Sequence, residues 1–567
     1  MNPDYVKEVR RFGSSAPFKD ENGKSFNLSH DDDIDPTQVQ TNGYGNVDGV
    51  PLVWRKPCLG RPERYAASGT LPKLAPAFTV NPFEHPDTLR RIRPIADQEE
   101  LEQALSFPWD KWGVFLHPSQ RRVVDRDYSK PARVAGSAGT GKTIVALHRA
   151  VRLARADPRA RILLTTFSDP LADSLKKKLA VLAPETGGIV RRITVASFQR
   201  VAEQLFQLVH GSRPRIGGEP MLRRLLKDAA EAQNVRGFSD RFLLSEWTHV
   251  IDAWGLGSAD EYRDVQRMGR KSRLGPNQRG RLWPVFEAVR RGVEEQGYTT
   301  WPAVFTELAA TYAAKAEKPF DHILIDEAQD LGPAELRFFA AIAPGGKNSL
   351  FFAGDLGQRI FQHPYSWKSL GVDVRGRSST LKVCYRTSQQ IRSAADRLLP
   401  EQLRDVDGLE DERRGTISVF EGPPPCVEVC DTEEEEAAMV AQFISASVDA
   451  GASSDEIGIF VRTPQLVERA KAAVERAAVG AAPTISVMHL AKGLEFKSVV
   501  VMACDEGVLP LDERVADAAD EAELDDIYET ERRLLYVACT RARDSLLVTG
   551  TKPASEFLND LTRLPGA

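Results

Sequence analysis

The sequence GSAGTGKT places glycines, a lysine and a hydroxyl residue at the spacing of a phosphate-binding loop. It lies between the apolar run ARVA and the helix-like run IVALHRAVRLA. At such a strand-to-helix turn, backbone N–H groups and the helix N-terminus hold phosphates. We expect Lys142 to neutralise the β- and γ-phosphates and the Thr143 hydroxyl to ligate Mg²⁺. The other residues expected around the phosphates are Gly136, Ser137, Ala138, Gly139, Thr140 and Gly141.

Two adjacent carboxylates, Asp326 and Glu327, follow the apolar run HILI in the sequence LIDEAQD. A buried strand that ends there would deliver both side chains to the polar edge of a sheet. We expect Asp326 to hold Mg²⁺ and Glu327 to orient and deprotonate an attacking water. Together with the phosphate loop, these carboxylates predict a site that hydrolyses ATP, with ATP and Mg²⁺ as cofactors.

Apolar strand-like runs alternate with amphipathic helical segments beyond residue 115, which predicts an α/β fold with parallel sheets covered on both faces. The first series of runs is RILLTTF at 161, ITVASF at 193, HILID at 322 and SLFFAGD at 349. The second series is TLKVCY at 380, TISVF at 416, IGIFVR at 457, ISVMHL at 485, SVVVMA at 498 and SLLVTG at 545. We therefore expect two α/β sheets in succession.

Two regions depart from this alternation. Between Phe198 and Phe320 helix formers dominate, which predicts a helical insertion into the first sheet domain. From Ser14 to about Pro82 the chain is rich in Gly, Pro, Asn and Asp, which predicts a poorly ordered N-terminal extension. The expected division is 1–110 for the N-terminal extension, 111–200 and 318–375 for the two parts of the first sheet domain, 201–317 for the insertion and 376–567 for the second sheet domain.

Composition and charge limit the classes of function. The formal net charge is −5, so a nucleic acid would have to bind in a local basic groove. No apolar run approaches the roughly 20 residues of a membrane-spanning helix, and the first residues do not resemble a secretory signal, so we expect no membrane partner and a cytoplasmic location. The six cysteines are widely spaced, and we expect neither disulfides nor a structural metal.

The remaining motifs stand in the order found in UvrD/Rep-type superfamily 1 helicases, which the sequence resembles from Leu116 to about Gly550. These motifs are LHPSQ at 116, FAGDLGQRIF at 352, CYRTS at 384, HLAKGLEF at 489 and ERRLLYVACTRAR at 531. The resemblance implies two RecA-like P-loop domains that form an ATP-dependent translocase and helicase on single-stranded and tailed duplex DNA. The AKGLEF form is that of the 3′-to-5′ branch.

The resemblance also implies how the nucleotide's base and sugar are held. By this likeness Gln120 reads adenine, Tyr385 stacks on it and Glu495 contacts the ribose. None of these roles follows from residue spacing alone.

The same likeness assigns three residues to the γ-phosphate. Gln358 senses it and couples it to DNA, Arg386 reaches it, and Arg541 is the arginine finger. Both arginines lie on the second predicted sheet domain, whereas Lys142 and Asp326 lie on the first. Arginine fingers are worth about 10³–10⁵ in rate, so hydrolysis would require the two domains to close on one nucleotide.

Aromatic faces stack on bases without reading sequence, and hydroxyls hold phosphates. The residues expected to contact a strand are Phe167, Ser168, Thr194, Ser197, Phe198, Trp367 and His489. The alternative for Phe167 and Phe198 is that they are residues of the hydrophobic core. The family's IYxWRGA is stretched here to IFQHPYSWKSLG, so Phe361 or Tyr365 could take the place of Trp367.

Several alternatives stay open at this stage. Relatives insert an accessory subdomain called 2B between the positions of Arg462 and Thr484, where this chain has only LVERAKAAVERAA. The sequence therefore supports translocation along a strand more strongly than processive unwinding. The basic run from Arg263 to Trp283 is either a duplex-facing patch or a solvated face. The alternative function is a motor-derived ATPase that remodels protein–nucleic acid complexes, with the N-terminal extension docking a protein partner.

Overall fold

The computed structural model of the chain describes residues 116 and 118–562, except 185–187, 268–273, 363, 401, 409, 413–414, 419, 517 and 519–520. Five two-residue strands, β1 to β5, are also described before residue 52. They are Phe18–Lys19, Ser25–Phe26, Val39–Gln40, Asn46–Val47 and Val50–Pro51. The rest of the predicted N-terminal extension lies outside the described residues, and so does the expectation that it is poorly ordered.

The first lobe is built on a sheet of six parallel strands. They are β6 Ala132–Gly136, β7 Ile162–Thr166, β8 Ile193–Ser197, β9 His322–Ile325, β10 Leu350–Gly354 and β11 Ser378–Leu381. Their order across the sheet is β11-β6-β10-β9-β7-β8, and every neighbouring pair is parallel. The strands β6, β7 and β10 are buried along their whole length, as expected for a sheet with helices on both faces.

Ten α-helices are present in the described residues of the first lobe and its insertion. They are α1 Pro118–Asp125, α2 Lys142–Ala156, α3 Asp169–Leu182, α4 Phe198–His210, α5 Glu219–Ala232, α6 Asp240–Glu246, α7 Ala259–Asp264, α8 Pro276–Glu295, α9 Trp301–Ala313 and α10 Pro333–Ile342. One core cluster packs α2 against one face of the sheet through Val145 and Leu147, and another packs α10 against the other face through Phe338 and Phe339.

The predicted helical insertion is present. Within the described residues of 198–321 there is no named strand, and the only β-contact is an isolated bridge between Ile216 and Thr299. Helices α5 to α8 enclose a core of their own that contains Trp247, Tyr262 and Phe286. None of the described helices is long and apolar enough to cross a membrane.

The second lobe follows. Its strands and the short strands before it are β12 Val383–Cys384, β13 Gln402–Arg404, β14 Glu410–Glu412, β15 Ile417–Ser418, β16 Cys426–Cys430, β17 Ile457–Val461, β18 Thr484–Val487, β19 Phe496–Val501 and β20 Ala542–Thr551. Its helices are α11 Gln389–Asp396, α12 Glu433–Asp449, α13 Val467–Ala477, α14 Asp512–Ala516, α15 Glu521–Cys539 and α16 Phe557–Thr562. The main sheet is parallel, in the order β16-β20-β19-β17-β18.

The sequence prediction is wrong for two strand-like runs. The first part of TLKVCY is β11, which pairs with β6 at the edge of the first sheet, so the first sheet extends to Leu381. The second part is β12, which pairs only with β15 from the run TISVF, and this two-stranded sheet is separate from the main second sheet. A short apolar run predicts that a strand forms. It does not predict which sheet that strand joins, because strand pairing depends on tertiary contacts.

The chain between β17 and β18 is short. It holds a 3₁₀ turn, Pro464–Leu466, and then α13, which packs against α12. All residues between these strands are described, and they leave no room for a further domain. The accessory subdomain 2B of the family is therefore missing from this position.

Candidate nucleotide site and strand-binding surface

The phosphate loop connects the end of β6 to the start of α2. The N-cap of α2 is Gly141, with φ of 83°, and the first amides of the helix face the loop without side-chain caps. Gly139 has φ of 76°, and a Cβ there would lie 2.7 Å from Cys384 Sγ and 3.1 Å from Arg386 Cβ. Glycine is therefore required for the second lobe to approach the loop this closely.

Lys142 is folded onto the phosphate loop. Its Nζ donates to the carbonyl oxygens of Gly136 at 2.8 Å and Ser137 at 3.0 Å. Burial lowers the pKa of Lys142, and the charges of Asp355, Glu327 and Asp326 oppose that shift. A phosphate is a stronger acceptor for this ammonium than two peptide carbonyls, so the residue can exchange one set of partners for the other.

Thr143 and Asp326 provide the oxygen ligands expected for Mg²⁺. The Thr143 hydroxyl donates to Asp326 Oδ2 at 2.8 Å, which joins the first turn of α2 to the end of β9. Burial and the neighbouring charge of Glu327 raise the pKa of Asp326 to about 7. A hydroxyl and a carboxylate are the hard oxygen donors that Mg²⁺ prefers, and binding of a cation would favour the ionised carboxylate. The two residues fit this ion.

Glu327 lies beside Asp326 in a left-handed backbone conformation, with φ of 54°. Such a conformation is uncommon for a residue with a side chain and is often found at active sites. Gln329 Nε2 donates to Glu327 Oε2 at 2.5 Å and so fixes the direction of the carboxylate. Glu327 therefore lies next to the residues predicted to ligate Mg²⁺, with its side chain held by a neighbour in the same motif.

Arg386 and its neighbours bring the second lobe onto the phosphate loop. The Tyr385 amide donates to Gly139 O at 2.9 Å. Arg386 donates to Glu495 Oε1 at 2.7 Å and to Thr540 O at 3.2 Å. Although burial opposes the shift, the charge of Arg386 and its hydrogen bond lower the pKa of Glu495. Three residues predicted to hold the nucleotide, Tyr385, Arg386 and Glu495, thus lie together beside the loop.

Arg541 reaches across the interface between the lobes. It lies two residues beyond the end of α15, and its Nη2 donates to Gln358 Oε1 at 3.1 Å. Gln358 in turn donates to Asp355 Oδ2 at 2.8 Å. Burial and the nearby charge of Arg386 lower the pKa of Arg541 to about 10, which leaves it cationic at neutral pH. The buried guanidinium and the glutamine therefore form one hydrogen-bonded group.

Lys492, from the motif HLAKGLEF, was not among the predicted site residues. Its Nζ contacts the first lobe, through an ion pair with Asp330 and a hydrogen bond to Gln358 O at 2.7 Å. The same atom lies 3.9 Å from Glu327 Oε2. The signal in the sequence was its place beside Gly493 within the quoted motif HLAKGLEF.

Two further side chains touch the phosphate loop. The Ala138 amide donates to the Tyr536 hydroxyl at 3.4 Å, and sequence reasoning missed this tyrosine of α15. Gln120 Nε2 donates to Thr140 O at 3.0 Å, and a Cβ at position 141 would lie 2.2 Å from the same nitrogen. Gln120 is therefore in contact with the loop, and its reading of adenine stays a prediction.

Phe167 and Phe361 form the aromatic surface at the interface. Phe167 follows β7, and its ring is stacked on Phe361 with centroids 5.0 Å apart and planes 10° apart. Lys492 Nζ lies 5.8 Å from the centroid of Phe361. Both rings are only partly buried, so they are placed where a base could stack.

Other aromatic residues predicted to contact a strand lie in the core. Phe198 is 3% exposed, and its ring packs edge-on against Phe339. Tyr365 is buried, and its hydroxyl donates to Leu331 O at 2.7 Å, so it presents no free face to a base. Trp367 is half-buried against Phe352, with ring centroids 4.8 Å apart. Of the three alternatives in the stretched motif, Phe361 alone is stacked on another predicted strand contact.

The polar residues predicted to contact a nucleic-acid strand lie within β8 or shortly after β7 and β18. Ser197 accepts from the Arg200 amide as the N-cap of α4 and donates to Asp169 Oδ1 at 2.5 Å. Ser168 is the N-cap residue of α3, and Thr194 is exposed on the edge strand β8. His489 is half-buried, and burial and the charge of Arg462 lower its pKa. Phe167, which is stacked on Phe361, also contacts Phe198 edge-on at a centroid distance of 6.4 Å. Ser168 and Ser197 are therefore sequence neighbours of rings that lie beside Phe361.

The described part of the basic run includes arginines with structural roles. Arg267 forms a buried ion pair with Glu246 at 2.6 Å. Arg279 donates to the carbonyls of Tyr262, Arg263 and Val265. Residues 268–273 lie outside the described residues. Arg267 and Arg279 therefore stabilise the insertion, which reduces the charge available for a duplex-facing patch.

Comparison with known proteins agrees with this geometry. Residues 481–553 match the UvrD-like helicase C-terminal domain, and residues 120–364 match an AAA domain. The chain is 23% identical over 405 residues to "Putative ATP-dependent DNA helicase YjcD" of Bacillus subtilis, covering 68% of this chain and 51% of that protein. It is 24% identical over 356 residues to ATP-dependent DNA helicase UvrD2 of Mycobacterium tuberculosis, covering 59% of this chain and 50% of UvrD2.

A shorter match is closer in sequence. ATP-dependent DNA helicase PcrA of Bacillus subtilis is 42% identical over 74 residues, which are 13% of this chain and 9% of PcrA. The chain is therefore similar to UvrD/Rep-type superfamily 1 helicases in both matched regions. The chain spans about half the length of the first two relatives it matches. The fold class predicted from sequence, two RecA-like P-loop domains with a helical insertion in the first, is confirmed for the described residues.

Proposed function

We propose that this UvrD-type chain is an ATP-driven translocase and helicase that moves 3′-to-5′ on single-stranded DNA. The observation that carries the proposal is the arrangement of Arg386 and Arg541 from the second lobe against Gly139 and Gln358 of the first. Groups that we propose to bind opposite sides of one triphosphate thus lie at a single interface. The names of the relatives, which are ATP-dependent DNA helicases, support the same activity and favour DNA as the substrate.

In this proposal the phosphate loop and Lys142 bind the β- and γ-phosphates. Thr143 and Asp326 would hold Mg²⁺, which when bound neutralises charge on the phosphate oxygens. Glu327 orients the attacking water and accepts its proton, and Gln329 keeps that carboxylate directed. These roles require the carboxylate of Glu327 to be ionised and close to the γ-phosphate.

The second lobe completes the same site. Tyr385 stacks on adenine, Gln120 reads its edge and Glu495 binds the ribose. Arg386 and Arg541 neutralise charge that develops on the γ-phosphate, a contribution of about 10³–10⁵ in rate for arginine fingers. Hydrolysis removes the anion that both lobes bind, so the lobes separate and the grip on the strand changes. Repeated closure and opening moves the chain along DNA.

The strand is expected to stack on Phe361 and Phe167. Base stacking tolerates any sequence and phosphate contacts are salt-sensitive, so binding is expected to be independent of sequence and to weaken with salt. Unwinding must oppose about 1.4 kcal/mol per base-pair step, and 2B is missing here. Translocation is therefore expected to be stronger than processive unwinding. Because DNA is the proposed substrate, we place the chain in the cytoplasm.

The deciding experiment measures ATP hydrolysis with and without oligo-dT, and displacement of a fluorescent strand from duplexes with 3′ or 5′ tails. Wild-type chain should show DNA-stimulated ATPase and displacement from the 3′-tailed duplex. Lys142→Ala should show neither. Stimulation without displacement from either duplex would favour the remodelling alternative, and ATPase that ignores DNA would refute both. The partner predicted for residues 1–110 stays a prediction, because most of that segment lies outside the described residues.

A further inference from the structure

The contact between the two lobes extends beyond the predicted nucleotide site. A Cβ at Gly493 of the second lobe would lie 1.9 Å from Leu171 Cδ2 on α3 of the first. Ile360, which lies shortly after the 3₁₀ turn Leu356–Gln358, packs against the hydrophobic core of the second lobe. Arg359 stands between that turn and Ile360. It is therefore a first-lobe residue held against the second lobe.

The Arg359 guanidinium forms no hydrogen bond or ion pair with any residue that the structure describes. The side chain is partly buried, and its Nε is fully buried. The other two arginines at this interface differ, because Arg386 donates to Glu495 and Arg541 donates to Gln358. A buried N–H without an acceptor lowers stability, since it has given up its hydrogen bond to water. Arg359 is therefore arranged to receive an acceptor from outside the chain.

A second arginine lies near Arg359 on the other lobe. Arg533 belongs to α15, which packs against the turn Leu356–Gln358. Its Nη2 donates to Glu529 Oε2 at 2.9 Å, whereas its Nε is buried without a partner among the described residues. Burial and the charge of Arg533 lower the pKa of Arg359 to about 10, which leaves Arg359 cationic at neutral pH. Each lobe thus contributes one guanidinium with an unused buried N–H.

Two carboxylates near these arginines reduce their repulsion but leave the buried N–H groups free. The charges of Asp405 and Glu529 oppose the fall in the pKa of Arg359, yet neither carboxylate forms a hydrogen bond with it. Glu529 is paired with Arg533, and its side chain is 54% exposed. The hydroxyl of Tyr365, the other titratable group near Arg359, already donates to a carbonyl in the core. An acceptor for the two guanidinium groups must therefore come from a ligand.

We propose that Arg359 and Arg533 form a binding site for one phosphate group, separate from the phosphate loop. A phosphate presents oxygen acceptors in several directions, and arginine binds phosphate through strong charge-assisted hydrogen bonds. Arg359 is two residues before Phe361, so a backbone phosphate of a strand stacked on that ring is the favoured source. Free phosphate has the same chemistry and is the other source. The inference rests on the proposed function and deepens it, because it assigns a strand contact shared by both lobes.

The strand is tested with Arg359→Met and Arg533→Met, which keep an apolar stem and remove the charge. The Kd of fluorescent oligo-dT is measured by anisotropy between about 50 and 200 mM NaCl. Each variant should raise the Kd at least about fivefold at the lowest salt. Each should also lower the slope of log Kd against log salt by about 0.7, the value for one phosphate of a single strand.

The matched control is Arg532→Met, which changes the neighbouring residue on α15. Arg532 forms an ion pair with Asp560 and lies 4.3 Å from the ring centroid of Phe557, both within the second lobe. Arg532→Met should therefore melt below wild type and keep the wild-type salt slope. Arg359→Met should melt at the wild-type temperature or above it, because the ligand-free chain loses an unpaired charge. A lower melting temperature for Arg359→Met would assign this residue to packing and overturn the inference.

Free phosphate is tested in Lys142→Ala, so that the phosphate loop contributes little. Melting temperatures in sodium phosphate and in sodium chloride of equal ionic strength are compared with and without the added change Arg359→Met. A larger gain from phosphate in Lys142→Ala than in the double variant, with no change in salt slope, would make free phosphate the ligand. If neither that gain nor the altered slope is found, the site does not exist. A wild-type chain that fails to bind oligo-dT would refute the proposed function, and the phosphate comparison would still decide the site.

Discussion

The guanidinium of Arg541 and the side-chain amide of Gln358 are 3.1 Å apart, although they belong to different lobes. Gln358 also binds Asp355, and its carbonyl binds Lys492. A residue of the 3₁₀ turn that follows β10 is thus in contact with both a predicted arginine finger and a lysine beside the aromatic surface. Movement of either lobe must break or rearrange these bonds.

Arg541→Ala should lower DNA-stimulated kcat by about 10³-fold or more, because the positive charge opposite the γ-phosphate is lost. The KM for ATP should change far less, since the phosphate loop still binds the nucleotide. Steady-state ATPase at saturating oligo-dT measures both constants. The matched control is Arg375→Ala, which removes an exposed arginine paired with Asp373. Equal turnover in Arg541→Ala and wild type would remove Arg541 from the catalytic group.

Glu327→Gln should separate binding from hydrolysis. The amide keeps the size of the side chain but cannot accept the proton of water, so kcat should fall by about 10²–10⁴-fold. Affinity for a fluorescent ATP analogue and for oligo-dT should stay close to wild type. Stopped-flow binding and ATPase measurements together check this. A variant that hydrolyses ATP at the wild-type rate would assign the base to another residue.

Asp326→Asn should stabilise the nucleotide-free chain at pH 8 and abolish its ATPase. The native pKa of about 7 exceeds the ordinary value of 3.8, so the folded chain keeps this proton while the unfolded chain loses it. The contribution of Asp326 to the free energy of unfolding therefore falls as pH rises from about 4 to about 7. Because an asparagine side chain does not titrate, Asp326→Asn removes this pH dependence of the free energy of unfolding.

Melting temperatures in EDTA at pH 5 and pH 8 measure the effect. Asp326→Asn should exceed wild type by at least about 2 °C at pH 8 and by less at pH 5. The control Asp373→Asn should show no such gain, because its hydrogen bond to Arg375 lowers the pKa of Asp373. A gain of equal size at both pH values would contradict the assigned protonation.

Phe361→Ala should weaken binding of oligo-dT. Loss of one stacking contact costs about 1–3 kcal/mol, which corresponds to about 5–150-fold in Kd. Tyr365→Phe is the control from the same stretched motif, since it removes the hydrogen bond to Leu331 O inside the core. That variant should lower the melting temperature and leave the Kd unchanged. Fluorescence anisotropy with both variants distinguishes the roles, and an unaltered Kd in Phe361→Ala would exclude the ring from the strand path.

Local sequence was enough for the parts of the site that follow directly from one strand or one turn. The phosphate loop between β6 and α2 and the carboxylates after β9 are specified by a few adjacent residues. The residue types of these two motifs and the apolar runs beside them predict the same arrangement, a functional turn at the end of a buried strand. The helical insertion was also predictable, because the helical composition continues for more than a hundred residues.

Features that depend on contacts distant in sequence were not predictable in the same way. The segment Ser378–Leu381 pairs with β6 at the edge of the first sheet. No local sequence pattern predicts that β6 would be its partner. Tyr365 and Phe361 have similar side chains four residues apart, yet one is in the core and the other faces the lobe interface. Lys492 carries no local sign of its buried partner Asp330, which is 162 positions away.

A Cβ at Gly493 would lie 1.9 Å from Leu171 Cδ2, so a methyl group there requires the leucine side chain to move, and this contact can be used to engineer the interface. Gly493→Ala would act as a steric bump that props the lobes apart, and Leu171→Ala would supply the matching hole. Turnover should collapse in the bumped chain and recover in part in the pair, with the residual deficit due to the left-handed backbone at position 493. Such a pair would make closure of the motor adjustable by a single carbon atom.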